Sequence, residues 1–316
     1  MKSARNRRRK SSFAKKIKSF FIYSFVSIVV LGFFLNTFIS NLLEYSFALA
    51  NSGGIVDLKT DDKYSVVLIS SNKLNEIKNI NLISYDKKNK RMVNFEISKS
   101  IDLTSGNSSF KVGEILTVSK GQNPEKINSL LSDNFGTNLA FTYITSSDDS
   151  ELIQKILLGT GSIYDLYLAN SLENINLRDL YFVYSFAGSV DSKDRKELKI
   201  NSLSELDKEI RDIYIDSELG VLSPAITIVN ATNINGLGKK YTRLVTNLGG
   251  RVIDTTNGDE VLKESMIIYK DKTKNIQFLS SKLGITKSLS IEEVGLKYPE
   301  IIKSDLVIVL GIDKAE

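Results

Sequence analysis

The sequence contains no cysteine and no histidine. Disulfide bonds, thiol nucleophiles, Ser-His-Asp triads and the common zinc sites each require one of these two residue types. All four are therefore excluded. A chain without disulfide bonds or zinc sites must be stabilised chiefly by its hydrophobic cores.

Acidic residues are missing from the first 19 positions, which hold nine lysines and arginines. The whole chain has 42 basic and 37 acidic residues, so the remainder has 33 basic residues against 37 acidic ones and a net charge of −4. A part with that charge lacks the basic surface by which proteins bind nucleic acid. We therefore expect no nucleic-acid partner, and we attribute the basic tail to membrane topology and to anionic membrane lipid.

Charge is also missing from residues 20–43, which are rich in Phe, Ile, Val and Leu. A helix needs about 20 apolar residues to cross the ~30 Å hydrocarbon core of a bilayer, and a basic cluster ahead of it stays in the cytoplasm. We predict a cytoplasmic tail over residues 1–19 and a transmembrane helix over residues 20–43. The protein would be a single-pass protein of the cell membrane with an extracytoplasmic C-terminal part.

A cleaved signal peptide is the alternative for this segment, because Ala48-Leu49-Ala50 offers a cleavage pattern after Ala50. The apolar stretch is much longer than the ~7–15 residues of a secretory apolar core. The sequence therefore favours a retained anchor, followed by a linker over residues 44–61.

The first exported segment, residues 62–190, has the pattern of an α/β domain. A buried strand is predicted at 64–70, and two strands at 80–85 and 91–97 flank a polar turn and form a hairpin. Further elements are a helix starting at Pro124, a strand at 139–145 and a helix after Asp149. Residues 191–220 are charged and predict a linker that contains a helix near 203–215.

The C-terminal segment, residues 221–316, shows a β-α-β-β-α-β order. This order is typical of a four-stranded sheet with two helices on one face. The predicted fold class is therefore α/β (α+β) for exported domains behind one transmembrane helix. Because the sheet closes without upstream strands, this segment is expected to fold by itself.

The turn before the first helix of this segment, Asn235-Gly236-Leu237-Gly238-Lys239-Lys240, contains two glycines. It fits neither a dinucleotide fingerprint, whose third glycine is replaced by Tyr241, nor a P-loop, whose first glycine is replaced by Asn233. A tight turn from strand to helix explains it, and the N–H groups at the helix start remain a modest anion site.

Two motifs begin and end the C-terminal segment at a matching separation. Residues 226–232 read I-T-I-V-N-A-T and precede Gly236-Leu237, and residues 305–313 read D-L-V-I-V-L-G-I-D. Residues 226–313 thereby resemble the LytR C-terminal domain of bacterial envelope proteins. The matching segments make Asn230, Thr232, Gly236 and Asp313 candidate ligand-binding residues.

The plan of the whole chain is similar to that of LytR-CpsA-Psr proteins, which have a basic tail, one anchor and an exported catalytic domain. The resemblance implies transfer of polyprenyl-pyrophosphate-linked glycopolymers to peptidoglycan with a divalent cation. The family signature is a strand ending in S-I-P-R-D, whose Arg contacts the pyrophosphate and whose Asp helps to hold the cation.

In this sequence the corresponding place reads Ser98-Lys99-Ser100. Lys99 keeps the positive charge but lacks the two-pronged guanidinium, and Ser100 supplies no anionic ligand. The upstream domain is therefore a degenerate version of the family pattern. If it is active, Lys99 would contact the pyrophosphate, with Asp102, alternating onto the face of Ser100, or Asp61 as a substitute ligand for Mg²⁺.

Three hypotheses for function follow. The first is a membrane-anchored envelope protein, non-catalytic or weakly catalytic, that binds peptidoglycan, an envelope glycopolymer or another envelope partner without a cofactor or metal. The second is an active glycopolymer transferase that uses Mg²⁺. The third is a spacer that assembles a membrane complex.

Overall fold

The computed structural model describes Leu58 and a set of ranges from residue 61 onward. These ranges are 61–72, 76–105, 108–119, 124–146, 148–162, 164–165, 168, 177–215, 217–295 and 298–314. The predicted tail, transmembrane helix and cleavage site lie outside the described residues, as does most of the predicted 44–61 linker. Within the described ranges, no helix is long and apolar enough to cross a membrane.

The first half of the described chain contributes the strands of one large sheet and a small ribbon. They are β1 (Lys63–Ser71), β2 (Ile77–Asp86), β3 (Arg91–Ile97), β4 (Asp102–Ser105), β5 (Ser108–Lys111), β6 (Leu139–Ser146) and β7 (Arg195–Ile200). The sheet has the order β6-β1-β2-β3-β7, and β4 and β5 form the separate ribbon. β1, β2 and β3 are antiparallel neighbours, which confirms the predicted hairpin, whereas β6 and β7 join them in parallel.

β7 lies inside the segment 191–220 that the sequence predicts to be a linker. Residues 195–200 pair in parallel with β3 and form an outer strand of the first sheet, so the linker prediction is wrong there. Only Ile200 is fully buried, and Leu198 packs partly against the core, while the other side chains are charged. Charged side chains are common on edge strands because they discourage pairing with other chains, and they hide the alternation of a strand.

Helices cover both faces of the first sheet. They are α1 (Ile115–Val118), α2 (Pro124–Phe135), α3 (Ser150–Leu157), α4 (Leu177–Ser189), α5 (Leu203–Tyr214) and α6 (Glu218–Leu222). α2 and α5 pack on the face that carries Val67, Leu82 and Phe95, and α3 and α4 pack on the opposite face. The sequence patterns predict α2, α3 and α5, but not α4.

α5 shows why these helices form where they do. The Ser202 side chain accepts a hydrogen bond from the backbone N–H of Glu205, which satisfies one donor at the helix start. Leu206, Ile210 and Ile213 then follow at helical spacing and are buried. One face of α5 is thereby apolar and packs into the core.

The second half of the chain builds a second sheet. Its elements are β8 (Ala225–Asn230), α7 (Leu237–Asn247), β9 (Arg251–Asn257), β10 (Met266–Tyr269), α8 (Lys274–Leu283), β11 (Lys287–Ser290), α9 (Ile291–Val294) and β12 (Leu306–Leu310). The strand order is β11-β10-β12-β8-β9. α7 and α8 pack on the same face, and their buried side chains join those of β8 and β12 in one cluster.

The second sheet therefore has five strands where the sequence predicts four. The additional strand is β11, which pairs in parallel with β10 at the edge of the sheet. Its four residues, Lys-Ser-Leu-Ser, are exposed or half-buried, so they carry no apolar pattern that could mark a strand. The prediction of four strands fails because β11 is held by backbone pairing and not by buried side chains.

A continuous hydrophobic cluster connects the two sheets. It contains Phe95 of the first sheet, Leu131 of α2, Ile210 of α5, Val245 of α7 and Leu279 of α8. α5 contacts both α2 and α7, and α6 contacts α8. The two sheets thus share a buried interior.

Candidate functional site

The first candidate site is the turn that follows β3. Lys99 and Ser100 are exposed in this turn, and the Lys99 Nζ donates to the carbonyl oxygen of Ile77 at 3.3 Å. The Ser98 and Ser100 hydroxyls lie 2.8 Å apart. The positive charge of Lys99 therefore lies at the surface, beside hydroxyl and carbonyl groups.

The strand does not continue to Asp102. β3 ends at Ile97 and the chain turns, because Ile101 folds back into the core and its carbonyl oxygen accepts from the N–H of Val112 at 2.9 Å. The prediction that Ser100 and Asp102 share one face of a continued strand is wrong. Asp102 instead begins β4, where its carboxylate lies 3.7 Å from the Lys111 Nζ.

The residues at this turn do not fit a Mg²⁺ site. Magnesium prefers carboxylate ligands in octahedral geometry, but Ser100 has no carboxylate, and Asp102 alone is a single exposed carboxylate, 3.7 Å from the Lys111 Nζ. The other predicted ligand, Asp61, precedes the start of β1 at the opposite end of the sheet, 2.5 Å from the Lys282 Nζ. Among the described residues, no group of three or more potential ligands could hold a metal ion.

The second candidate site is the carboxyl end of β8. The Thr232 hydroxyl donates to the Asn230 side-chain oxygen at 2.7 Å and accepts from the N–H of Ile234 at 3.1 Å. The Asn230 amide donates to the carbonyl oxygen of Ile234 at 3.0 Å. Asn230 and Thr232 therefore shape the turn between β8 and α7.

Gly236 completes this turn. Its φ of +84° is a backbone conformation that glycine adopts without strain, and it is the N-cap of α7 without a side-chain hydrogen bond. The close approach of Gly238 to the Thr255 side chain explains the other glycine, because an added Cβ would lie 3.0 Å from the Thr255 methyl. The glycines thus serve the strand-to-helix connection that the sequence favours over a phosphate loop.

Asp313 lies at the neighbouring strand end. Its carboxylate accepts from the N–H of Ser265 at 2.8 Å and from the Ser265 hydroxyl at 2.7 Å. That hydroxyl accepts from the N–H of Gly311 at 2.8 Å. Asp313 therefore ties the end of β12 to the start of β10.

The structure brings the four predicted ligand-binding residues to one edge of the second sheet. β8 and β12 are parallel neighbours, and the Ala231 N–H donates to the carbonyl oxygen of Leu310 at 3.0 Å. Three exposed apolar side chains lie on the connected segments of this edge: Ile234, Val261 and Ile312. We call them the apolar rim. Sequence reasoning missed the rim because its members come from three separate loops.

A cleft between the first sheet and α5 was also not predicted. Its volume is about 110 Å³, and charged groups of both signs line it. These groups are Asp86, Arg91, Lys193, Asp194, Lys196, Glu209 and Asp212. With both signs present, the cleft has no preference for an anion or a cation.

Asp86 is the buried centre of this cleft. It lies 3.1 Å from the Lys63 Nζ and 2.8 Å from the Arg91 Nη2, and the Asn89 side chain donates to it at 2.8 Å. Burial raises the pKa of Asp86, but the hydrogen bonds from Asn89, Arg91 and Lys63 outweigh burial, so the pKa lies below its ordinary value. The carboxylate stays ionised and binds Lys63, whose Nζ also donates to the carbonyl oxygen of Ile213, so Lys63 connects the turn end of the β2-β3 hairpin to α5.

Comparison with known families matches residues 223–313 to LytR_C, described as LytR cell envelope-related transcriptional attenuator. No curated protein matches the chain.

Several solved structures are similar to the chain. The LytR-CPS2A-psr family protein YwtF (TagT) with bound octaprenyl pyrophosphate lipid is 11% identical, with 50% of this chain and 92% of that chain covered and a TM-score of 0.37. TagV of B. subtilis is 10% identical, with 48% and 97% covered and a TM-score of 0.37. Lin1025 of Listeria innocua is 12% identical, with 72% and 100% covered and a TM-score of 0.26. The family match at residues 223–313 confirms that the C-terminal part of the chain is a LytR C-terminal domain.

Proposed function

We propose that the protein is a membrane-anchored cell-envelope protein that binds an envelope glycopolymer or peptidoglycan and does not transfer it. The LytR C-terminal domain, whose family is described as cell envelope-related, supports the envelope assignment. The apolar segment 20–43 and the basic tail before it support the anchor.

The turn after β3 is the observation that argues against transfer. At the place where the resembling family has an arginine and an aspartate, this chain has Lys99, which contacts the Ile77 carbonyl, and Ser100. The nearest acid in sequence, Asp102, is paired with Lys111. Metal-assisted transfer needs carboxylates that hold the cation, and this turn does not provide them.

The apolar rim is the surface that we propose for binding. Ile234, Val261 and Ile312 are 39%, 48% and 49% exposed and lie where the strand ends of the second sheet meet. Exposed apolar side chains beside backbone polar groups suit the amphipathic faces of sugar rings. Asn230, Thr232, Gly236 and Asp313 hold the loops that present this surface, so we assign them a supporting role.

Sedimentation of the full-length protein in detergent with insoluble peptidoglycan tests the proposal. The assay is run with peptidoglycan that carries its attached glycopolymer and with peptidoglycan from which the glycopolymer has been removed. The comparison shows which of the two polymers the protein binds. We expect sedimentation that weakens several-fold in the triple variant Ile234→Ser, Val261→Ser, Ile312→Ser. Ile302→Ser is the matched control, because Ile302 is exposed near the opposite end of the same sheet.

Two results would contradict the proposal. Sedimentation that is absent for the wild-type protein with both polymers would favour the spacer hypothesis. Mg²⁺-dependent consumption of a polyprenyl-pyrophosphate-linked glycan would favour the transferase.

A further inference from the structure

The turn between β2 and β3 carries a compact group of cations. Lys87, Lys88, Lys90 and Arg91 fall within five consecutive positions, and Lys88 and Lys90 are exposed. The adjoining carboxylate, Asp86, is buried and holds Lys63 and Arg91. We call residues 87–91 the basic tip.

Further charged side chains flank the basic tip at the same edge of the first sheet. β7 starts beside the start of β3, with Arg195 opposite Met92, which places the exposed Lys193 and Lys196 near this edge. The acidic side chains of this region, besides Asp86, are Asp61, which pairs with Lys282, and Asp62, Asp191, Asp194, Glu209 and Asp212. None of these acids lies in the turn itself, so the basic tip presents cations at the end of the sheet.

The chain that arrives from the predicted anchor reaches the sheet at this tip. The Lys87 Nζ donates to the carbonyl oxygen of Leu58 at 3.0 Å, and the N–H of Lys87 donates to the carbonyl oxygen of Asp62 at 2.7 Å. The 15 residue steps between the predicted helix end at residue 43 and Leu58 can span at most about 50 Å. If the predicted helix anchors the chain, this length keeps the basic tip within about 50 Å of the helix end.

We propose that the basic tip docks on anionic lipid head groups of the membrane that carries the anchor. This inference rests on the proposed anchor at residues 20–43. Each lysine near an anionic surface favours the docked state roughly 5-fold. Because the anchored chain already confines the tip to within about 50 Å of the helix end, such weak contacts suffice to orient the domain.

Docking in this orientation has a consequence for the turn after β3. Lys99 follows the far end of β3, which at the rise of a β-strand lies about 20 Å from Arg91 of the basic tip. The Lys99 turn would thus point away from the lipid head groups. That orientation agrees with the proposed absence of chemistry on a membrane lipid at Lys99.

The absence of cysteine allows a direct test on the full-length protein. A fluorophore on Ser192→Cys, exposed at the edge of the basic tip, reports its distance from lipids whose head groups carry a quencher. The same label on Asn201→Cys, exposed just beyond the opposite end of β7, is the reference position. Both proteins are incorporated into nanodiscs of anionic phosphatidylglycerol or of zwitterionic phosphatidylcholine.

We expect the label at position 192 to be quenched more strongly than the label at position 201, and only in anionic discs. This difference in quenching should disappear at high salt. Lys88→Gln with Lys90→Gln should lower the docked-to-undocked ratio about 25-fold. Lys78→Gln with Lys199→Gln removes the same charge at the opposite edge and should leave quenching unchanged.

The outcomes separate this inference from the proposed anchor. Full-length protein that does not enter the discs overturns both. Protein that enters the discs but shows equal quenching at the two positions, or the same quenching in zwitterionic lipid, overturns the docking proposal alone. A loss of quenching in the Lys78 and Lys199 control would also overturn it.

Discussion

The Arg243 Nε donates to both oxygens of the Asp207 carboxylate at 2.8 Å, and Nη2 lies 2.8 Å from Oδ1 as an ion-pair contact. Arg243 belongs to α7, beside the second sheet, whereas Asp207 belongs to α5, which packs on the first. The Asn247 amide adds bonds to Asp207 at 2.7 Å and to the carbonyl oxygen of Gly136 at 3.0 Å. One carboxylate therefore fixes α7 against the first half of the molecule.

We expect Arg243→Ala to lower the free energy of unfolding by about 2–3 kcal/mol, because it removes hydrogen bonds to a carboxylate that is largely buried. Arg211→Ala is the control, since Arg211 is exposed on the same helix as Asp207. Urea denaturation, monitored by circular dichroism, measures the free energy of unfolding of both variants. Equal midpoints for the two variants would show that the Arg243 pair adds nothing to stability.

The pH dependence of stability should depend on Asp86. Its folded-state pKa is lowered, so its contribution is present above the unfolded pKa of about 3.9 and is lost as pH falls through the folded pKa. At neutral pH, Asp86→Asn should lower the free energy of unfolding by about 3–5 kcal/mol. The reason is that Lys63, which is 5% exposed, would keep a buried charge without its partner carboxylate.

The difference in the free energy of unfolding between the wild-type protein and Asp86→Asn should become smaller as pH falls below about 4. Urea titrations at a series of pH values measure it. Asp212→Asn is the control, because its carboxylate lines the same cleft and is exposed. A difference that stays constant down to low pH would rule out an ionised Asp86 as the cause.

The sequence predicts that residues 221–316 fold alone, and the second sheet indeed takes all five of its strands from this segment. α6, however, adds contacts at the end of α7. The Ser217 hydroxyl donates to the carbonyl oxygen of Leu248 at 3.0 Å, and Leu219 is buried in the shared cluster. The fragment 221–316 lacks Ser217 and Leu219, so these contacts at the end of α7 are missing from it.

We therefore expect a fragment of residues 202–316, which includes α5 and α6, to unfold at higher urea than one of residues 221–316. Both should show a cooperative transition, because the sheet is complete in each. A single midpoint shared by the two fragments would show that α5 and α6 do not support the second sheet.

Secondary-structure elements that are marked by a local residue pattern could be predicted from the sequence. The apolar spacing of Leu206, Ile210 and Ile213 predicts α5, and Gly284, with a φ of +61°, ends α8 as predicted. β7 and β11 were missed because an edge strand needs few buried side chains and is held by its neighbour's backbone.

The candidate sites show a different limit. Asn230 and Thr232 were correctly placed at a strand end, but a matching motif does not distinguish a ligand contact from a turn-forming bond. The pairs Arg243–Asp207 and Asp61–Lys282 join residues far apart in sequence, so no local pattern marks them.

The last prediction concerns chemistry at Lys99. Phosphoryl transfer with a metal needs carboxylates on the cation and positive charge on the developing anion. The turn after β3 offers an exposed lysine, a serine in place of the aspartate and a paired Asp102. A loss of only 1.4 kcal/mol of transition-state stabilisation slows a reaction tenfold, and a missing metal ligand usually costs far more.

We expect the purified full-length protein to show no turnover with a polyprenyl-pyrophosphate-linked glycan, a peptidoglycan acceptor and Mg²⁺. Lys99→Ala should leave sedimentation with peptidoglycan unchanged, because the apolar rim lies on the other sheet and Lys99 is exposed. Lys111→Ala is the companion variant, since it frees Asp102 from its partner. Turnover in the wild-type protein that disappears in Lys99→Ala would establish a transferase, and turnover that appears only in Lys111→Ala would identify Asp102 as a ligand held inactive by its ion pair.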